Sequence, residues 1–166
     1  MRKKIFAFLL LSALYAGAQE VPDWENPIVV GINKEPYHAT LTLPSQKADC
    51  KEIISLNGKW RFQWSADPGK RPADFYKNDF NTDTWDTIIV PGAWQLQGYG
   101  KPIYSNVNYP FQKDAPKVTS EPPAEYYSYG HRNPTGSYVT TFEVTLDMKD
   151  KCLYLHFEGV KSAMYV

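Results

Sequence analysis

Carboxylates, imidazoles, thiols and amides are the groups with which this chain could do chemistry, and their spacing is uneven. Asp79, Asp83 and Asp86 fall in a polar stretch of turn character, where acids cap and solvate, and Glu121 and Glu125 fall in a Pro-rich loop. Hydrolysis by paired carboxylates needs two groups held about 5–10 Å apart, and the sequence nominates no such pair. His38, His131 and His156 are scattered, and with Cys50 and Cys152 as the only cysteines no metal-ligand spacing emerges. Two cysteines about a hundred residues apart make no disulfide framework, so both read as free, mostly buried thiols. Trp60, Trp64, Trp85 and Trp94 could stack on the C–H faces of sugar rings, but on strands such residues usually fill the core. Tyr126, Tyr127 and Tyr129 fit either role. The stretch "GYGKPIYSNVNYPF", Gly98 to Phe111, is the most suggestive: four aromatics on an irregular segment, with Asn106 and Asn108 among them. Either its own aromatics pack it down, or it presents a polar group to something outside.

The elements that must position these residues are short strands. Trp60, Phe62 and Trp64 alternate in "EIISLNGKWRFQW", where Asn57-Gly58 reads as a hairpin turn. "TIIVPGAW" reads as a buried strand stopped by Pro91-Gly92. In "GSYVTTFEVTL", Tyr138, Thr140, Phe142 and Val144 face one way, and Leu153, Leu155 and Phe157 repeat the pattern in "CLYLHFEGV" after a "DMKDK" turn. No segment reads as a long amphipathic helix. Short strands joined by Pro/Gly loops predict an all-β, antiparallel β-sandwich.

At the front, Arg2, Lys3 and Lys4 precede "IFAFLLLSALYA" and the small residues Ala16 and Ala18, the layout of a secretory signal peptide. Its removal leaves fifteen basic against eighteen acidic residues, a mildly acidic chain with no charge bias toward nucleic acid and no later apolar run suited to a bilayer. The expected organisation is a signal peptide at 1–18, a Pro-punctuated extended arm at 19–51 and the sandwich at 52–166. Export places it in the periplasm or outside the cell. The final "GVKSAMYV" stops within an apolar pattern, which reads as a domain cut short.

Five blocks, taken in order, carry a resemblance: "DWENP" at Asp23–Pro27, "SLNGKWRFQW" at Ser55–Trp64, "VPGAWQLQGYGKPIYSNVNYPF" at Val90–Phe111, "NPTGSYVTTFEV" at Asn133–Val144 and "FEGVKSAMYV" at Phe157–Val166. Together they resemble the N-terminal part of the large bacterial β-galactosidases of glycoside hydrolase family 2. The resemblance implies a jelly-roll, galactose-binding-like sandwich behind an arm that contributes to oligomer contacts. It implies further domains outside this chain, among them a barrel with two catalytic glutamates of a retaining mechanism and most ligands of Mg²⁺ and Na⁺. By the same resemblance no catalytic or metal-binding residue lies in this chain. Asn106, with Val107 beside it, is the substrate-facing position, and the substrate is a β-galactoside or oligosaccharide. Trp60, Phe62, Trp94, Tyr138 and Phe142 become core, and Pro134 and Gly136 shape a turn. The loop from Lys113 to His131 is longer than its counterparts, which leaves substrate preference open. The alternatives are a free-standing carbohydrate-binding module and a family 2 β-glucuronidase or β-mannosidase.

Overall fold

The computed structural model describes residues 21–36, 53–102, 114–118, 133–161 and 163–166. Its organising element is β1, Gly58–Ser65, flanked by β2, Asp86–Val90, and β3, Thr135–Val139, in one antiparallel sheet of order β2-β1-β3. Side chains of a strand alternate between faces, and directly paired residues share a face. Trp60, Phe62 and Trp64 therefore lie on the same side as their partners Ile88, Asp86, Tyr138 and Gly136. Lys59, Arg61 and Gln63 take the other side with Ile89, Thr87, Val139 and Ser137. Phe62 and Ile88 are the most completely buried large side chains, at 0% and 1% exposure. The core therefore sits on the aromatic face of the central strand.

The all-β expectation holds: the other described elements are short 3-10 turns. The three strands form one sheet layer, as in an incomplete sandwich. β2 ends where expected, at Pro91, which has no N–H to offer a ladder. The chain crosses from β1 to β2 through a 3-10 turn at Pro68–Lys70. Buried Asp67 caps this turn, Oδ1 accepting from the Lys70 N–H at 3.1 Å and Oδ2 pairing with its ammonium at 3.0 Å. A satellite cluster follows, in which Trp85 is buried against Phe75 and Phe80, with ring centroids 5.8 and 5.9 Å away.

Several expectations are corrected. Asn57-Gly58 does not close a hairpin. Gly58 instead opens β1 at φ +138°, a conformation L side chains rarely adopt, and the Trp60 indole N–H donates to the Leu56 carbonyl at 2.7 Å across this entry. Gly136 lies inside β3 rather than in a turn, because its missing Cβ admits two aromatic rings. The alternating run beyond Val139 joins no ladder among the described residues, nor does the run around Leu155, and Phe142 is 47% exposed rather than core. "DMKDK" is a turn, as expected, its first two residues completing a 3-10 element at Leu146–Met148. Cys152 is a free thiol, as expected, but exposed, because its segment has no cover. Cys50 lies outside the described residues.

Candidate functional site

The stem of the Gly98–Phe111 stretch is held against the sheet at three places. Pro91 and Gly92 turn the chain out of β2, a 3-10 turn at Trp94–Gln97 follows, and Gly98 closes it in the left-handed region at φ 97°. The Tyr99 N–H then donates to the Trp94 carbonyl at 3.1 Å. The first hold is Trp94, whose ring centroid lies 6.1 Å from that of Phe62. A Cβ at Gly136 would come within 2.6 Å of the Trp94 ring and 2.7 Å of the Phe62 ring, so glycine is what lets the two rings close over β3. The Trp94 indole N–H is buried with no acceptor among the described residues, and the ring packs on Phe62.

Gln97 is the second hold. Its Oε1 accepts from the Ile89 N–H at 2.8 Å, and its Nε2 donates to the Ile89 carbonyl at 3.0 Å. Tyr99, the third, packs edge-on against Phe62 with centroids 4.7 Å apart. Its phenol is held above the usual tyrosine range by desolvation first, then by its hydrogen bond to Asp86 and by the charge of that carboxylate. Asp86, one of the acids considered from the sequence, thus receives the Tyr99 hydroxyl at the β2 end of the sheet. Tyr138, 4.8 Å from Phe62, is raised by burial alone.

Asn106 and Val107 lie outside the described residues, as do Tyr104, Asn108, Tyr109 and Phe111 and the group Tyr126, Tyr127 and Tyr129. The described chain reaches Pro102, four residues short of Asn106. The tryptophans read as core behave so in part: Trp85 is buried, and Trp60, Trp64 and Trp94 are half-buried. Sequence reading passed over Gln97 and gave Gly92 only a part in stopping the strand. Their relation is visible only once the 3-10 turn brings the amide back to β2.

The arm has its own anchor. Asp23–Glu25 forms a 3-10 turn; Glu25 Oε1 accepts from the Val118 N–H at 2.9 Å. The Arg71 guanidinium carbon lies 4.7 Å from the centre of the Trp24 ring, and Tyr165 meets that ring edge-on at 6.2 Å. Among the described residues no three His, Cys, Asp or Glu side chains gather as a metal site, and no helix is long and apolar enough to cross a membrane.

An antiparallel sheet with an aromatic face and an aromatic-anchored loop stem defines an all-β domain. The comparisons make this specific. The profile of the sugar binding domain of the glycosyl hydrolases family 2 matches residues 53–166. The chain belongs to that family. It is 38% identical over 161 residues to a β-galactosidase of Priestia megaterium, covering 91% of this chain and 15% of the relative. It is 36% identical over 144 residues to one of Halalkalibacterium halodurans, covering 83% and 14%, and 37% identical over 149 residues to one of Vibrio vulnificus, covering 87% and 13%. The chain thus spans about a seventh of the length of these relatives.

Proposed function

We propose that this chain is the front piece of an exported β-galactosidase, and that it offers Asn106 to a terminal β-D-galactosyl ring whose bond is cleaved on another domain. An Asn side chain suits that task, since one amide provides both an acceptor oxygen and two N–H donors for sugar hydroxyls. Val107 supplies the apolar contact beside it. Such a group is useful only if it arrives in place, because an error of about 1 Å in a positioning contact can cost about a hundredfold in rate. The observation that carries the reading is the stem: Trp94, Gln97 and Tyr99 fix onto the sheet the chain that ends seven residues before Asn106. The names of the relatives, all β-galactosidases, supply the sugar.

The two glutamates of a retaining mechanism, about 5–5.5 Å apart on a barrel, belong to the rest of such an enzyme. Most ligands of its Mg²⁺ and Na⁺ belong there as well, and no residue of this chain is proposed as one. The arm from Gln19 onward serves subunit contacts in a homo-oligomer.

Two assays test this. The chain by itself gives no hydrolysis of a chromogenic β-galactoside, and turnover above background would overturn the division of labour. Exchange of the matching front segment of the Priestia megaterium enzyme for residues 21–166 gives an active chimera, in which Asn106→Ala lowers kcat/KM by at least about tenfold. A folded chimera without activity, or one indifferent to Asn106→Ala, counts against the reading.

One observation favours a second reading, a self-sufficient carbohydrate-binding module. An open groove of about 360 Å³ runs beside β1, lined by Lys59, Arg61, Thr82, Thr87, Thr140 and Thr141 among others. Calorimetry decides: a β-galactoside that binds the isolated chain, with loss of binding in Arg61→Ala, favours the module.

A further inference from the structure

We infer that Gln97 is a positioning residue, whose side-chain amide stands in for a neighbouring strand along the outer edge of β2 and locks the stem that leads to Asn106. The inference rests on the role of Asn106 proposed above.

Ile89 lies opposite Lys59 of β1, yet its own N–H and carbonyl are both taken by Gln97. Along an antiparallel edge such groups form the unpaired row that another strand would fill. One primary amide carries a donor and an acceptor side by side, so it reproduces the pairing a strand residue would provide. The contact closes an eight-residue reversal through Pro91 and the 3-10 turn, and it ends one residue before Gly98, where the chain changes direction. Two directional bonds from one planar group fix orientation as well as distance.

Gly92 is the complement of this clamp. A Cβ there would lie 2.8 Å from Gln97 Nε2 and 2.9 Å from the Ile89 carbonyl oxygen. The φ of Gly92 is not in the left-handed region, so the demand for glycine is one of space. Gln97 also differs in kind from the other two holds. Trp94 and Tyr99 pack on Phe62, and their removal opens the core, whereas the Gln97 bonds lie on the exposed side and leave no cavity when lost.

Gln97→Met keeps the length and removes the amide. In the 166-residue chain, amide hydrogen exchange of Ile89 is expected to accelerate by about tenfold or more, with the β1–β3 ladder amides unchanged. Unchanged exchange at Ile89 overturns the clamp, and loss of the ladder as well makes Gln97 a general stability residue. In the active chimera, well below its thermal midpoint, Gln97→Met is expected to raise KM about tenfold with a smaller change in kcat. Gly92→Ala, which expels the amide without altering it, is expected to reproduce the effect. The deciding measurement is the cycle with Asn106→Ala: in that background Gln97→Met changes kcat/KM less than about twofold, because Gln97 acts through Asn106. A full, additive effect there overturns the inference, as does normal KM in Gln97→Met while Asn106→Ala is impaired. If Asn106→Ala itself has no effect, the proposed role of Asn106 fails first, and this inference with it.

Discussion

Around Phe62 the molecule closes completely; beyond Val139 it stays open. Phe62 is fully buried, with β2 and β3 on either side and the rings of Trp94, Tyr99 and Tyr138 around it. After β3, Phe142 and Val144 and then Leu153, Leu155 and Phe157 follow one another with the same two-residue period, and all are exposed. Met148, in the 3-10 turn between the two runs, is buried. The difference lies in neighbours rather than in side-chain type. A central strand has its backbone groups taken on both sides and one face covered by a folded-back loop. An extended segment with no ladder partner among the described residues has neither. Burial belongs to the surroundings of a residue, and it is there that each apolar side chain contributes most to stability.

Mutations around the two regions should therefore diverge. Phe62→Ala is expected to have the largest effect, a loss of about 3–5 kcal/mol in a urea titration, because three rings cannot collapse into the space it leaves. A loss below that of an ordinary surface change would break the contrast at its strongest point. Gly136→Ala comes next, at about 1–3 kcal/mol, since its Cβ meets the Trp94 and Phe62 rings within 2.7 Å. Reduced Trp94 burial, seen as a red shift of its fluorescence with the other tryptophans replaced by Phe, should accompany it. Asp67→Ala removes the cap of the 68–70 turn and should cost about 1 kcal/mol, read from the shift of the urea midpoint. Phe142→Ala and Leu155→Ala, on the open run, should stay within about 0.5 kcal/mol of the parent chain. A cost near that of Phe62→Ala at either position would show that the open face is covered in solution.

The two-residue alternation legible in the sequence at β1 and at the start of the β3 run became a sheet with the stated faces, whereas the strand read as buried at β2 buries only Ile88 and leaves Ile89 exposed. The same pattern at Phe142 and Leu155 misled, because alternation tells which side chains share a face and is silent on whether anything covers it. Asn57-Gly58 misled for a related reason. The pair suits a hairpin, but the strand that pairs with Gly58 arrives from Val90, past a twenty-residue connection. At the candidate site the aromatic stem and the expected end of β2 were readable. Gln97 was not, since a surface glutamine in a polar turn has no local signature of a strand partner.

What the sequence determined by itself is the chemistry available and its order along the chain: aromatic strands, a Pro-Gly stop, a Tyr- and Asn-rich loop, and the blocks that mark family 2. Those depend on side-chain type and short-range spacing, which the chain carries at every stage of folding. Only the tertiary structure decided that Gly136 must be small, that Asp86 receives the Tyr99 hydroxyl and that Gln97 returns to Ile89. Each of these joins residues far apart in sequence or turned toward each other by a reversal, and such contacts exist only after β1 has gathered its two neighbours.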